Sequence, residues 1–435
     1  MTDTATPPDT EHPEPSLRTG IIWNLASLVV LGFAGIALNL IIGRSYGPET
    51  LGLFNIIFAL FILFSQLCTF GIHFSVLRTV SQFHGRDAGE VSAGVSSAIS
   101  ATLIASAIVL PICVIATFPL ASVYSGLSEF KNAWFLAIPG LLFFSLNKVL
   151  LSVVNGMRHM RAFAVLQSLR FGLIILFLVL AIVFDIPGWA LSGILTGGEL
   201  VLFPIVLVYV LKQRVIKDRI FSGLSAIKDR FRFGVKVFLS GTLSELNTRV
   251  DVLMIGIFLD AVNVGIYTIA VLVFDAASQL IFVVRNNVNP LITKSVEDGK
   301  LTDMLSLSRK IAAAFFVVML VAAAAAYLIY PLLAPIVLKD PEFIGATVPM
   351  AILVASFAFA GGAMCFNMAF TQAGLPGWQT LFVGAVIVVN IVANALLIPM
   401  FGINGAAMAT AFATVISGVL AVVLIRRLTG LRILI

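Results

Sequence analysis

Eight ionisable side chains fall in stretches of this sequence that otherwise suit only a lipid interior. They are the bases Lys148, Arg170, Lys236 and Arg249 and the acids Glu199, Glu245, Asp251 and Asp275. Such a group costs about 2.5–3.5 kcal/mol at membrane depth even on the lenient insertion scale, so each must face protein or water. Bases in that setting call for an acid, water or an anionic ligand beside them. Acids suit the exchange of a proton or another cation. Spacing sharpens the picture. At 100° per residue, Lys236, Ser240, Ser244, Asn247 and Asp251 fall within roughly 80° of one another on a single helix. Glu245 and Arg249 stand one turn apart and can pair. Val235, Leu239, Leu243, Leu246, Val250 and Leu253 cover the other side, so this helix has one wet face. Similar stripes recur as Ser145, Lys148, Ser152, Asn155 and His159; Gln167 and Arg170; Ser192, Thr196 and Glu199; and Thr268, Asp275, Gln279 and Asn286. Polar stripes on several helices call for a shared water-filled space, although intramembrane polar groups also glue helices together. For Glu245 with Arg249 both readings stand. Gln66 and Gln279 read as packing residues, and His73, His84 and His159 as interfacial ones.

The elements that must position these groups follow from composition. The chain has 435 residues, of which 60% are hydrophobic and 11% charged. That apolar content needs lipid as its solvent. Runs of ~20 apolar residues, each long enough to cross a bilayer as a helix, lie near residues 20–43, 51–72, 93–117, 132–154, 163–184, 190–211, 233–258, 264–285, 310–330, 346–370, 377–399 and 403–425. Barrel strands need only ~10 residues, so the runs mean helices. Cys68, Cys113 and Cys365 all lie inside apolar runs and read as core residues. His12, His73, His84 and His159 lack ligand spacing, so no metal site is expected. Residues 1–19 are polar and proline-containing and read as a disordered tail with no cleaved leader.

Lysine and arginine set the orientation. Of the 27 such residues, 20 fall in the termini and loops of one side, and only Arg44, Lys131 and Lys339 in loops of the other. Both termini are therefore expected in the cytoplasm of a cell-membrane protein. The stretch 212–232 interleaves bases with Phe221, Leu224 and Ile227 and reads as an amphipathic linker on the inner membrane surface. It joins residues 20–211 to residues 233–425, each with six spans, and residues 426–435 form a second cytoplasmic tail. The halves repeat. Residues 41–67 and 254–280, 213 positions apart, share Ile42/Ile255, Gly43/Gly256, Gly52/Gly265, Ile56/Ile269, Phe61/Phe274, Ser65/Ser278, Gln66/Gln279 and Leu67/Leu280 without a gap. The expected fold is all-α and polytopic, with about twelve transmembrane helices in two pseudo-symmetric six-helix lobes around a central cavity. Outward loops are too short to hold an enzyme's site, and no phosphate-loop motif is present. A secondary transporter is expected, with no cofactor, no nucleic-acid partner and no catalytic residues.

The turn after the first span reads Gly43-Arg44-Ser45-Tyr46-Gly47-Pro48-Glu49-Thr50-Leu51-Gly52-Leu53-Phe54, and Gly265-Ile266-Tyr267 echoes it in the second half. This turn resembles a signature of the polysaccharide-exporter branch of the multidrug/oligosaccharidyl-lipid/polysaccharide exporter superfamily. The resemblance implies a flippase that moves a polyprenyl-diphosphate glycan between leaflets by alternating access, for polysaccharide biosynthesis, through a V-shaped cavity between two lobes. It implies a cavity whose bases meet the diphosphate. Lys148, Arg170, Lys236 and Arg249, with Asn247, are the substrate-binding candidates here, and Glu199, Glu245, Asp251 and Asp275 the ion-coupling candidates. The implied partners are the lipid-linked glycan, membrane lipids and glycan polymerase or assembly proteins, with the chain itself a monomer. A cation-coupled multidrug exporter of the same superfamily is the alternative, with Asp275, Asp251 or Glu245 trading the cation.

Overall fold

The computed structural model describes residues 17–216, 224–297, 303–372 and 375–429. Its described residues are helical, with no strand among them. The first half holds α1 (Leu17–Thr69), α2 (Ile72–Phe83), α3 (Ala88–Val123), α4 (Phe130–Gly156), α5 (Met160–Val183) and α6 (Gly193–Lys212). The second holds α7 (Leu224–Asn247), α8 (Val250–Phe258), α9 (Ala261–Glu297), α10 (Asp303–Val337), α11 (Thr347–Met364), α12 (Ala369–Gln372) and α13 (Pro376–Thr429). Nine described segments are long and apolar enough to cross a membrane. Two of them, 41 and 52 residues long, hold two spans each. α1 reverses at Gly47 (φ 81°) and α13 at Gly402 (φ 59°), left-handed backbone that favours glycine. Asn55 Nδ2 donates to Asn39 Oδ1 at 2.9 Å across the first of these hairpins. The remaining expected span, 233–258, is broken at residues 248–249 into α7 and α8, where Arg249 takes a non-helical conformation. The twelve expected spans are thus all found as helical segments of a multi-pass membrane protein.

Burial follows a lipid solvent. Ile115, Leu332 and Ile336 are 69–70% exposed on helix faces, where hydrocarbon is the natural neighbour. Small polar residues point inward instead. On α3, Ser97, Ser100, Thr102 and Thr117 are buried and return their hydroxyls to carbonyls three or four residues back. Small satisfied side chains let helices approach closely where lipid offers no hydrophobic drive.

Three apolar clusters define the lobes. One belongs to the first half and includes Val95, Val149 and Leu202. One belongs to the second and includes Phe315, Phe357 and Phe370. The third is shared and joins Ile42, Leu51 and Phe54 to Val264, Tyr267 and Phe343. It lies at the end of the bundle where α1 reverses, away from the basic turns that carry Arg86 and Arg158. There the repeat packs on itself. A Cβ on Gly52 would overlap the carbonyl oxygen of Ala261, and one on Gly265 would overlap that of Pro48. Residues 48 and 52 become 261 and 265 under the 213-residue shift. Each copy therefore touches in its partner what its partner touches in it, the mark of a two-fold contact. The next shared glycine repeats the relation. A Cβ on Gly43 would meet Phe343 and Leu338 at 3.1–3.2 Å, and one on Gly256 would meet Tyr124 at 3.0 Å. Arg44 Nη1 donates to the carbonyls of Ile336 and Val337, closing the end of α10 at 2.9 and 2.5 Å, and Tyr124 Oη donates to Leu253 O at 3.3 Å.

At the basic end the lobes meet differently. Of the expected 212–232 linker, residues 224–232 form the first turns of α7, and residues 217–223 lie outside the described part. Ile227 is 9% exposed and packs into the first lobe's cluster. Gly71 (φ 70°) and Gly234 bring α2 and α7 together backbone to backbone. Of the two expected tails, residues 1–16 and 430–435 also lie outside the described residues.

Candidate functional site

A cavity of about 450 Å³ opens between the lobes. The second arm of α1 gives it Phe58 and Gln66, α2 gives His73, α4 gives Phe144 and Lys148, α5 gives Arg170 and α6 gives Glu199. Only Glu245 and Arg249, beside the break between α7 and α8, come from the second half. The shared apolar cluster closes one end, so the cavity belongs to the basic half of the bundle.

Its charges are held unequally. Arg170 Nε lies 2.8 Å from Glu199 Oε1. The second Glu199 oxygen accepts from Asn147 Nδ2 at 2.8 Å, and Glu199 is only 2% exposed. That carboxylate is fully engaged. Arg249 Nε lies 3.9 Å from Glu245 Oε2 with both side chains partly exposed, a spacing that contributes little. The two guanidinium groups also stand 4.8 Å over the rings of Phe144 (Arg170) and Phe58 (Arg249). Lys148 Nζ donates to Gln66 Oε1 at 3.1 Å. Among the described residues no carboxylate is within ion-pair reach of Lys148. Three bases against two acids leave the lining with one positive charge in surplus. An ammonium with a neutral partner is costly at membrane depth unless water or an anion meets it.

A second polar group lies in the second lobe. Asp251, in the first turn of α8, accepts from Asn394 Nδ2 at 2.9 Å, Asn390 Nδ2 at 3.2 Å and Tyr267 Oη at 3.1 Å. Thr410 Oγ1 donates to it as well. All four donors are neutral, and among the described residues no base pairs with Asp251. Asn394 is fully buried and its Oδ1 has no partner. A carboxylate, an amide oxygen and a hydroxyl are oxygen donors of the kind hard cations take.

The cavity therefore gathers Lys148, Arg170, Arg249, Glu199 and Glu245. Asp251 stands apart in its own network. Asp275 is exposed on α9, and Asn247 ends α7 with its Oδ1 buried and unpartnered. Neither lines the cavity. The side chain of Lys236 lies outside the described residues. Gln66 and His73, read as a packing and an interfacial residue, both line the cavity. Tyr267 was singled out only as part of the repeated turn, and Asn390, Asn394 and Thr410 not at all. Their one sequence sign is the pair of amides four residues apart in an apolar span. Ser192 and Thr196 do act as glue: Ser192 Oγ donates to Ala133 O at 2.6 Å and Thr196 Oγ1 to Leu136 O at 2.5 Å.

A family model described as "Polysaccharide biosynthesis protein" matches residues 17–296. No curated protein matches the chain in sequence. Among solved structures, a lipid II flippase MurJ in an inward closed conformation is 13% identical, with a TM-score of 0.74 over 93% of this chain and 87% of its own. An inward-facing multidrug resistance MATE family transporter of the MOP superfamily is 15% identical, with a TM-score of 0.74 over 94% and 98%. An outward-facing conformation of a MATE family transporter of that superfamily is 13% identical, with a TM-score of 0.59 over 94% of each chain. Of these three, the two inward conformers give the higher TM-scores.

Proposed function

The chain belongs to the polysaccharide biosynthesis protein family, and from that premise we propose that it is a flippase carrying a polyprenyl-diphosphate glycan across the cell membrane. The basic end faces the cytoplasm, as the distribution of Lys and Arg favours. The observation that carries the reading is the surplus positive charge of the cavity, centred on Lys148 with its neutral Gln66 partner. A diphosphate supplies the anion that this ammonium lacks, and Arg170 and Arg249 offer forked donors for its oxygens. Every lining residue falls between positions 31 and 249, inside the region matched by the family model. Asp251 is the coupling site, where a proton or a sodium ion meets the carboxylate, the Asn394 oxygen and the Thr410 hydroxyl. Glycan movement follows alternating access, with the glycine seam parting as the basic end closes.

A lipid-glycan translocation assay in proteoliposomes tests this. Each charge-assisted hydrogen bond contributes about 1.5–3 kcal/mol, so Lys148→Ala with Arg170→Ala should reduce transport at least tenfold. Undiminished transport would overturn the phosphate role. The structural likeness to MATE transporters favours a second reading, cation-coupled drug export. Glu245 is then the acid that meets a cationic drug, and expression should confer cation-dependent drug resistance. The surplus of bases in the cavity weighs against that reading.

A further inference from the structure

The cavity has two layers. α4 runs from its charged middle toward the basic end, and Ser152 and Asn155 follow Lys148 on one face. Asn155 lies seven residues on, ~10 Å along the axis at 1.5 Å per residue. α5 runs the other way, so Gln167 lies on the basic side of Arg170. All of these line the cavity, together with Phe74 and Phe163. Neither the Asn155 amide nor the Gln167 amide is hydrogen-bonded within the protein among the described residues. His73, at 8% exposed, lines the same space, and its Nδ1 is buried without a partner. Among the described residues, no Lys, Arg, Asp or Glu lines the cavity on this side of Lys148 and Arg170.

Resting on the flippase reading, we propose that this neutral layer is a subsite for the sugars next to the diphosphate, and that it selects uncharged sugars, bearing hydroxyl and acetamido groups, over uronic acids. Free amides can both donate to and accept from hydroxyl and acetamido groups. Phe74 and Phe163 offer flat apolar faces against which a pyranose ring can lie. A uronate placed there would lose its water without gaining a cation, which is unfavourable. Drawn up to Lys148, it would compete with the diphosphate for the same charge.

The test is binding to the full-length protein in nanodiscs. Three ligands are compared: bare polyprenyl diphosphate, the same lipid carrying a neutral disaccharide, and the same lipid with a uronic acid as its first sugar. The neutral disaccharide form should bind about tenfold tighter than the bare lipid, and the uronic form no tighter. Asn155→Ala with Gln167→Ala should erase the gain and leave bare-lipid binding unchanged, which also reports that the variant is folded. Gln167→Lys should transfer the gain to the uronic form, a change that misfolding cannot mimic. Equal affinity for the two glycan lipids, a gain that survives the double substitution, or no transfer by Gln167→Lys would overturn the subsite while the flippase reading stood. A double variant that lost the bare lipid too would put the amides in the phosphate site and overturn the division into layers. If wild type bound none of the three ligands, the flippase reading would fall and the subsite with it.

Discussion

Lys148 and Arg170 line one cavity but hold different partners, and the difference is testable. Arg170 is engaged by Glu199 before any anion arrives, whereas Lys148 is held only by an amide. Glu199 therefore stands in for an anionic ligand. Glu199→Gln should raise affinity for bare polyprenyl diphosphate severalfold, because Arg170 is released. The same change should lower the melting temperature, since breaking a buried pair costs about 3–5 kcal/mol. A falling or unchanged affinity would end that account. His159 makes the pH case outside the spans. Its Nδ1 lies 3.0 Å from Tyr209 Oη, and burial first, then His84, holds its imidazole below the ordinary value. An unfolded chain takes up that proton sooner, so the stability His159 contributes is whole well above pH ~6.5 and declines as pH falls through it. Melting in detergent from pH 7.5 to 5.5 should show a drop that His159→Gln reduces. An equal drop in both proteins would remove His159 from the cause. The five charged residues that line the cavity could be picked out in the sequence because a charge in an apolar run has few explanations. Gln66, His73 and the Asn390–Asn394 pair could not, because a neutral polar group reads equally well as glue, interface or ligand until its neighbours are known.

At the scale of elements, the repeat proved to mark a contact as well as a duplication. Gly43/Gly256 and Gly52/Gly265 are two of the eight shared pairs, and all four glycines sit where one lobe's backbone or side chains press on the other. Helix count, the six-plus-six division and these glycines could be read ahead of the fold, because each is written locally or at a fixed spacing. The break at residues 248–249 could not, since the apolar pattern runs through it. Overpacking of a close contact costs about 1–3 kcal/mol, and here it acts on only one end of the bundle. Gly265→Leu should therefore shift the protein toward separation at that end. Spin labels at Ser128→Cys and Glu342→Cys, one in each lobe, should move apart relative to the unsubstituted seam. The three native cysteines are buried and should not compete for label. An unchanged distance distribution would show that the glycines pack the seam without governing it.

For the whole molecule, the question is what holds the basic end while the seam is shut. α7 begins the second half by sequence, yet its first turns lie on the first lobe. Arg230 makes that attachment: Nη1 donates to Thr79 Oγ1 at 2.7 Å and to Ser75 Oγ at 3.0 Å, and Nε donates to Ser97 Oγ at 3.0 Å. The rings of Phe231 and Phe238 stand 5.8 and 4.7 Å from that of Phe70. None of this was legible in the sequence, where bases among apolar residues at 212–232 suggest a membrane surface, because the partners lie more than 130 positions away. A guanidinium held by three hydroxyls and the Ser75 carbonyl, with no ion pair among the described residues, is a fastening that can let go without stranding an opposite charge. Hydrogen bonds from a charged donor contribute about 1.5–3 kcal/mol each, and 1.4 kcal/mol is tenfold in a population. Arg230→Ala should therefore free the start of α7 and widen the basic mouth. A cysteine at Leu77, which lines the cavity near that mouth, should then react with a membrane-impermeant thiol reagent at least tenfold faster. Arg230→Lys, which keeps the charge and loses the fork, should fall between. If Leu77→Cys reacts at one rate in all three backgrounds, the α7 contact is passive packing and the basic end is gated elsewhere.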